Sequence, residues 1–405
     1  MKNTLKPLYL LAMLPALGQA DESVQAATFG DAISEGKAHV MLRYRFEHVD
    51  QDGKAKNANA STLLTRLNYL SKDYNGWQVF LEADNVSEVG SDDFNAGMGN
   101  TPNRGAYPVV ADPSGTEINQ AWVQFKHNYN KFKLGRQRIV LDNQRFVGGV
   151  AWRQNEQTYD SFSMDFNFDD NRLFVAYIDK VHRIFGDDVA AGNHDNQSFL
   201  VNYSNKLNQN SKLGVYHYNI DNEDAAAFST ATTGAFYQWG NKGADLPLSF
   251  KAEFAQQSDN ADNPVNYTAN YYRLDGSVQF KPMKLLAGYE VLTGDANKAG
   301  AMFRTPLATL HAFNGWADQF LNTPQAGLED TFIGSQFSTG SFKWKVLFHD
   351  FSTEDSSTEL GNEVDLSVAK KLSKHMKGVF KVAHFDGKGA RKDVDKIWFM
   401  LQANF

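Results

Sequence analysis

Segments in which apolar and polar residues alternate recur from residue 37 to the end of the chain. In residues 40–48, Leu42 and Phe46 fall on one face, and Arg43 and Arg45 fall on the other. Side chains alternate across a β-strand, so each segment has one apolar and one polar face. In a soluble sandwich the apolar face is the core. In a membrane barrel the apolar face contacts lipid and the polar face lines a water-filled lumen.

The connections between these segments alternate between short and long. The short ones carry Asn, Asp or Gly, which is typical of tight turns; the long ones include residues 85–116, 139–157 and 294–329. This alternation is typical of bacterial outer-membrane barrels, and each segment is near the 9–11 residues or so that cross a bilayer. We predict an all-β fold: a single transmembrane, antiparallel, up-and-down β-barrel of 18 strands. Sixteen strands remain possible if residues 231–240 and 377–385 are misassigned.

The N-terminus has the features of an export signal. Lys2 and Lys6 precede an apolar run at residues 8–17, and small residues end at Ala20. This order predicts a cleaved signal peptide over residues 1–20, because the apolar run is too short to span a membrane as a helix. Residues 21–36 are then a short periplasmic segment, and residues 37–405 form the barrel in the outer membrane of a Gram-negative bacterium.

Composition narrows the possible functions. The chain has no cysteine and a formal net charge of −7, which excludes thiolate metal sites and argues against a nucleic-acid partner. Its 30 Phe and 16 Tyr residues suit a lipid-facing surface with aromatic girdles. No nucleophile elbow, zinc-protease motif or phosphate loop occurs. We therefore predict no catalytic residue, no metal and no cofactor, and expect a protein that is not an enzyme.

The last strand ends on an aromatic residue. Ile397, Phe399, Leu401 and Phe405 share one face, a pattern similar to the C-terminal strand by which bacterial outer-membrane proteins are recognised during assembly. This similarity predicts the barrel-assembly machinery as a partner, with outer-membrane lipid and lipopolysaccharide around the finished barrel.

Two blocks resemble the alginate-export type of outer-membrane porin. The first holds Gly-Arg-Gln at 135–137, Gln-Arg-Phe-Val-Gly at 144–148 and Trp-Arg-Gln-Asn at 152–155; the second covers residues 305–320. The resemblance implies a monomeric barrel of 18 strands. The best-known relative moves an anionic polysaccharide through an arginine-lined constriction. The acidic net charge of this chain departs from a strongly cationic pore.

The stretch at residues 139–157 is predicted to fold inward and narrow the pore. Guanidinium groups are permanently charged and bind carboxylates by two-point hydrogen bonds, so a row of them would select anions. The predicted pore-lining residues are Arg43, Arg45, Arg66, Arg136, Arg138, Arg145, Arg153 and Asp160. Alternatively, the arginines pair with acids and brace a polar lumen; the candidate acids are Glu47, Glu82, Asp142, Glu156 and Asp160.

Residues 305–320 are apolar enough to fold back as a short helix or lid. His311, Trp316 and Asp318 are the predicted lid residues. Two interpretations stay open: the segment gates the pore, or it is a packed cap in which His311 and Trp316 are core residues.

Together these features predict an outer-membrane porin or channel for hydrophilic, anionic solutes. The expected partners are small anionic or saccharide solutes, such as uronate-type saccharides, alginate-like polymers or organic acids. Two alternatives remain: an outer-membrane β-barrel hydrolase whose site is assembled from distant strands, and a secreted β-sandwich that binds carbohydrate.

Overall fold

The structure is a computed structural model that describes residues 25–241 and 243–405; the predicted signal peptide at residues 1–20 lies outside them. Within these residues eighteen antiparallel strands form one sheet, which closes because β1 pairs with both β2 and β18. In chain order the strands are β1 (Lys37–Gln51), β2 (Ala58–Leu70), β3 (Trp77–Asp93), β4 (Gly115–His127), β5 (Asn130–Gln137), β6 (Thr158–Phe168), β7 (Asn171–His182), β8 (Asn193–Asn208), β9 (Ser211–Ile220), β10 (Thr230–Gly240), β11 (Leu248–Asp259), β12 (Thr268–Phe280), β13 (Met283–Leu292), β14 (Leu328–Thr339), β15 (Phe342–Ser352), β16 (Glu359–Lys371), β17 (Met376–Gly387) and β18 (Val394–Asn404).

The predicted barrel is confirmed with 18 strands rather than 16. The two uncertain segments, residues 231–240 and 377–385, form β10 and β17 and pair with both neighbours. Several strands are longer than the alternation predicted: β3 continues to Asp93, and the β2–β3 pairing reaches Asn59 opposite Asp93. The extra length lies at the long-loop end, where backbone hydrogen bonding continues after the apolar pattern has stopped.

A six-residue helix, α1 (Phe29–Ser34), precedes the barrel. Thr28 caps its N-terminus by accepting a hydrogen bond from the backbone of Asp31 at 3.1 Å. The backbone N–H of Lys72, in the short β2–β3 turn, donates to the carbonyl of Ala32 at 2.9 Å. The helix therefore packs at the short-turn end of the barrel. No helix in the described part of the chain is long and apolar enough to cross a membrane.

The two faces of the sheet differ as the alternation predicts. On β1, Arg43, Arg45 and Glu47 are buried on the inner face, whereas Leu42 and Phe46 stand on the outer face. Apolar side chains that remain exposed on a closed barrel form the surface that contacts hydrocarbon. Among them are Leu67, Leu81, Leu134, Phe199, Val215, Phe254, Leu274, Ile333, Phe348, Val364 and Phe399.

Two long connections fold into the barrel. We call residues 138–157, between β5 and β6, the first inward loop, and residues 293–327, between β13 and β14, the second inward loop. They join at a parallel bridge between Val147 and Leu307, where the N–H of Gly148 donates to the carbonyl of Leu307 at 2.8 Å. Phe146 packs on Tyr216 of the barrel wall, with ring centroids 5.1 Å apart. The predicted inward fold is thus confirmed, and the two loops form one packed unit inside the lumen.

Candidate functional site

The arginines of β1 hold the first inward loop against the wall. Arg43 Nε donates to Gln154 Oε1 at 2.8 Å, and its Nη1 donates to the carbonyl of Ala151 at 2.9 Å. Arg45 Nη2 lies 3.1 Å from a carboxylate oxygen of Asp112, which also accepts the N–H of Gln154. Both guanidinium groups are buried. They therefore serve as anchors for the loop backbone and not as open sites for a solute.

Glu156 of the first inward loop joins two further arginines. Arg66 Nη1 donates to one carboxylate oxygen at 2.8 Å, and Arg138 Nε donates to the other at 2.6 Å. Arg66 also donates to Asp84, and Arg138 to Glu82. Burial alone would raise the pKa of Glu156, but the two arginines outweigh burial and lower it. The carboxylate stays ionised, and every positive charge in this group has a negative partner.

Arg145 and Arg153, both in the first inward loop, connect the inward loops to each other and to the wall. Arg153 Nη2 donates to Asp318 of the second inward loop at 3.1 Å. Arg145 Nε lies 2.7 Å from Glu290 on β13, and its Nη2 donates to Asn314 at 2.9 Å. Buried ion pairs of this kind fix geometry because an unpaired buried charge is costly. The structure thus has the bracing arrangement, with Glu47, Glu82 and Glu156 among the acids that the sequence offered as partners.

Arg136 and Asp160 lie outside the lumen, so the prediction that they line the pore is wrong. Arg136 pairs in register with Ala121 and Asp160, and it shares the outer face of β5 with Phe132 and Leu134. Its Nε lies 3.0 Å from Asp160 Oδ1. Strand alternation allows only every second residue to point inward. The two residues form an ion pair on the outside of the barrel at the long-loop end.

The predicted lid residues are buried in the second inward loop. His311 Nδ1 lies 2.6 Å from Asp318 Oδ1, and its Nε2 lies 2.6 Å from Lys381 Nζ on β17. Burial, reinforced by the Lys381 ammonium, lowers the pKa of His311 to about 3. Burial alone would raise the pKa of Asp318, but His311 and Lys396 hold it well below its usual value. The contacts favour a neutral imidazole that donates to an ionised carboxylate.

Lys381 is the point where the wall and both inward loops meet. Its Nζ lies 3.7 Å from the ring centroid of Trp316, 4.4 Å from that of Trp152 and 5.2 Å from that of Trp398. Cations are attracted to the faces of aromatic rings, most strongly when water is excluded. Lys381 lies between these rings and so holds Trp316 of the second inward loop near Trp152 of the first inward loop. These contacts are of the kind expected for a packed cap.

The lumen-facing lysines are functional candidates that the sequence analysis missed. From β8 to β12, five residues pair in register from each strand to the next: Lys206, Lys212, Gln238, Lys251 and Asp275. Residues that pair in register share a face, and Lys251 lies beside the inward-facing Glu253 at 2.6 Å. Between the inward loops and the short turns, the inner face carries these basic residues: Lys126, Lys131, Lys133, Arg172, Lys206, Lys212, Lys251, Lys284, Lys343, Lys345, Lys371 and Lys377.

Acidic residues are sparse in the same part of the lumen. On these strands Asp165 and Asp275 share the inner face with the lysines, and Glu253 pairs with Lys251, whereas the other lumen acids gather around the inward loops. Three pairs of lysines even lie directly opposite each other on neighbouring strands, which is unfavourable for the sheet. These pairs are Lys126 with Lys131, Lys206 with Lys212, and Lys371 with Lys377. The short-turn half of the lumen is therefore strongly positive, although the whole chain is acidic.

Within residues 25–241 and 243–405, no group of three His, Asp or Glu side chains is arranged to hold a metal ion. A comparison with curated proteins finds no match. The sequence profile described as alginate export, however, matches residues 37–294. The chain belongs to the alginate export family.

Solved structures of outer-membrane proteins share the fold of this alginate export family member. OpdK of Pseudomonas aeruginosa, solved with vanillate, has a TM-score of 0.72 and 10% identity, covering 92% of this chain and 99% of its own. OccK9 (OpdG) of the same organism has a TM-score of 0.73 and 12% identity, with the same coverage. Acinetobacter baumannii OccAB2 has a TM-score of 0.70 and 14% identity, covering 91% and 98%. Family and barrel together establish an outer-membrane channel.

Proposed function

We propose that this channel conducts small anionic solutes and that its lumen lysines, rather than its arginines, provide the selecting charge. The observation that carries the proposal is the excess of inward-facing basic residues between the inward loops and the short turns. Arg45, Arg66, Arg138, Arg145 and Arg153 are paired with carboxylates, and Arg43 is bonded to the backbone of the first inward loop, so all six act as braces. They shape the constriction but leave little free charge in it.

The inner-face lysines favour the passage of anions through the lumen over tight binding of any one anion. At about 4 Å, one ammonium attracts a carboxylate by about 1 kcal/mol in water and by about 4 kcal/mol at an effective dielectric of 20. Several sites of this modest strength in succession raise the local anion concentration and still let each anion leave. Cations are repelled by the same field. Uronate-type saccharides and organic acids are the solutes that this chemistry favours.

The second inward loop serves as a fixed wall of the pore in this proposal. His311, Trp316 and Asp318 are buried and bonded to the barrel and to the first inward loop. A moving lid would have to break these contacts together. We place the loop with the rigid frame that narrows the channel.

We assign the parts of the chain, its partners and its oligomeric state as expected for an exported barrel protein. Residues 1–20 act as the signal peptide, residues 21–36 as a short periplasmic segment and residues 37–405 as the membrane barrel. The protein is a monomer, inserts by way of its C-terminal strand with the barrel-assembly machinery, and sits among lipid and lipopolysaccharide. It carries out no catalysis, so purified protein should not hydrolyse esters or peptides.

Planar-bilayer recording of the purified protein tests the proposal. In a salt gradient the reversal potential should show anion preference. Changing Lys206, Lys212 and Lys251 to Glu together should shift the potential toward cations, whereas Arg136→Glu, on the outer surface, should leave it unchanged. Cation preference in the unmodified protein would contradict anion conduction.

A further inference from the structure

A cavity of about 570 Å³ lies on the inner wall below the second inward loop. We propose that it binds a single-ring hydroxycarboxylate and that the inward loops restrict the channel to solutes of this size. This inference rests on anion conduction and names the substrate class. A polysaccharide chain is therefore excluded from transport, which departs from what the family name suggests.

The cavity is lined by positive side chains that converge on one ring. Lys212 Nζ lies 5.3 Å and Lys251 Nζ 4.7 Å from the centroid of Phe236. Lys284 and Arg273 also line the cavity. Lys251 is paired with Glu253, and Arg273 with Asp275 and Glu290, whereas Lys284 has no ion pair among the described residues. Lys284 and the weakly paired Lys212 therefore favour one carboxylate over a neutral solute.

Lys212 is the lysine best placed to exchange its partner for a solute. Its nearest acid, Asp142, stands 3.7 Å away and already accepts a hydrogen bond from Asn202 at 2.7 Å. Lys251, by contrast, contacts Glu253 at 2.6 Å. A carboxylate that arrives at Lys212 can form a shorter contact than the one it replaces, and Asp142 keeps its hydrogen bond from Asn202.

Aromatic faces form another side of the cavity. Phe313 of the second inward loop stands between Arg145 and Arg273, whose guanidinium carbons lie 4.8 Å and 5.2 Å from its centroid. Phe332 of β14 also lines the space. Arg273 is paired with Asp275 at 2.8 Å, so it orients the ring instead of binding a solute. A flat or chair-shaped ring can pack on these faces.

Hydrogen-bonding groups complete the lining. Asn143 from the first inward loop, Gln238, Ser249 and Ser277 surround the cavity. A ring that carries hydroxyl groups can bond to these amides and hydroxyls while its carboxylate reaches Lys212. An aromatic acid without hydroxyl groups can pair with Lys212, but the amides and hydroxyls of the lining then remain hydrogen-bonded to water. The combination therefore points to a hydroxylated ring acid such as a uronate.

The inward loops set the size limit. They contact β1 through Arg43 and Gln154, and β15 through Phe320, whose ring centroid lies 4.4 Å from that of Phe351. The two loops are joined at Val147 and Leu307. On the far side of the barrel from β1, Phe146 packs on Tyr216 of β9, with ring centroids 5.1 Å apart. A polymer would therefore have to separate contacts on both sides of the lumen. A single ring needs no such displacement, since pockets of roughly 300–1,000 Å³ accommodate whole small molecules.

Flux into liposomes that contain the purified barrel tests this inference. Glucuronate, glucose, benzoate and uronate oligomers of two, four and ten rings are compared at equal concentration. We expect glucuronate flux to exceed that of glucose and benzoate at least threefold, to saturate, and to exceed that of the four-ring oligomer at least tenfold. Lys212→Gln and Gln238→Leu should each raise the half-saturating concentration at least threefold.

The controls separate this inference from anion conduction itself. Arg136→Gln on the outer surface should leave saturation unchanged, and heat-shifted gel mobility reports whether each variant is a folded barrel. Ten-ring oligomers that cross as fast as glucuronate, or saturation that is unaffected in both folded cavity variants, would overturn the size-limited site while leaving anion selectivity intact. If the reversal potential of the unmodified protein shows no anion preference, the proposed function itself is contradicted.

Discussion

Lys206 and Lys212 face each other directly across β8 and β9 on the inner wall of the barrel. Opposed like charges weaken a sheet, and two other lysine pairs repeat the arrangement. A sequence selected only for stability would place an acid or a neutral side chain at one member of each pair. Anion conduction explains these pairs, because the same positive charges that destabilise the sheet also produce the field that attracts anions.

Removing one charge of such a pair should separate stability from selectivity. Lys206→Gln is expected to stabilise the barrel by roughly 0.2–1 kcal/mol, because it removes a cross-strand repulsion, and to reduce anion preference. Urea unfolding and the reversal potential measure the two effects. Lys180→Gln, which breaks an outer-surface pair with Asp195, is the matched control and should not affect selectivity. If Lys206→Gln has the same stability and the same selectivity as the unmodified protein, the opposed lysines neither weaken the sheet nor select anions.

Glu156 should be critical for the first inward loop. Glu156→Gln removes the carboxylate that Arg66 and Arg138 share, while Asp84 and Glu82 remain as their partners, so we expect a loss of about 1.5–3 kcal/mol. Unfolding midpoints and the rate of protease cleavage within residues 138–157 provide the measurement. Glu359→Gln, at an exposed strand end, is the control. A loss no larger than that of the control would show that the loop does not depend on this brace.

Acid should destabilise the second inward loop through His311. Its pKa is lowered to about 3 by burial, so between pH 6.5 and 3 the unfolded chain binds a proton that the folded protein does not. Stability should therefore fall as pH falls, by at most about 1.4 kcal/mol per pH unit from this residue. Asp318, whose pKa is held below its usual value, adds a loss in the same direction below about pH 4.

His311→Gln isolates the histidine contribution. The variant should show a smaller fall in unfolding midpoint between pH 6.5 and 4.5 than the unmodified protein, although its stability at pH 7.5 is lower. His384→Gln, on the exposed surface, serves for comparison. Parallel pH profiles for the unmodified protein and His311→Gln would contradict a buried neutral imidazole.

The architecture was readable from the sequence because alternation and loop length are local signals. Residues 40–48 showed which face of β1 is apolar, and residues 139–157 form a long connection that holds Arg145, Trp152 and Arg153. The partners of the arginines were not readable, because Arg153 meets Asp318 only after 164 intervening residues have formed most of the barrel.

The error at Arg136 came from following charge rather than periodicity. Phe132 and Leu134 place even-numbered positions of β5 outward, and Arg136 continues that series. The missed lysines show the converse: Lys212 and Lys251 lie on the polar faces of strands already predicted, where the same alternation would have placed them in the lumen. Cross-strand register, which makes them neighbours, is fixed only by the closed barrel.

A disulfide between the two inward loops would distinguish a fixed wall from a gate. Val147 and Leu307 pair in a parallel bridge, and paired backbones lie within the range of Cα separations that a disulfide spans. The chain has no cysteine of its own, so Val147→Cys with Leu307→Cys introduces a single possible crosslink. If the second inward loop is part of the rigid frame, oxidation should leave conductance and selectivity within about 20% of the reduced protein. Each single-cysteine variant, treated in the same way, controls for the loss of the buried side chain. A crosslinked protein that stays closed, or that loses voltage-dependent closures seen after reduction, would show that this loop moves during conduction.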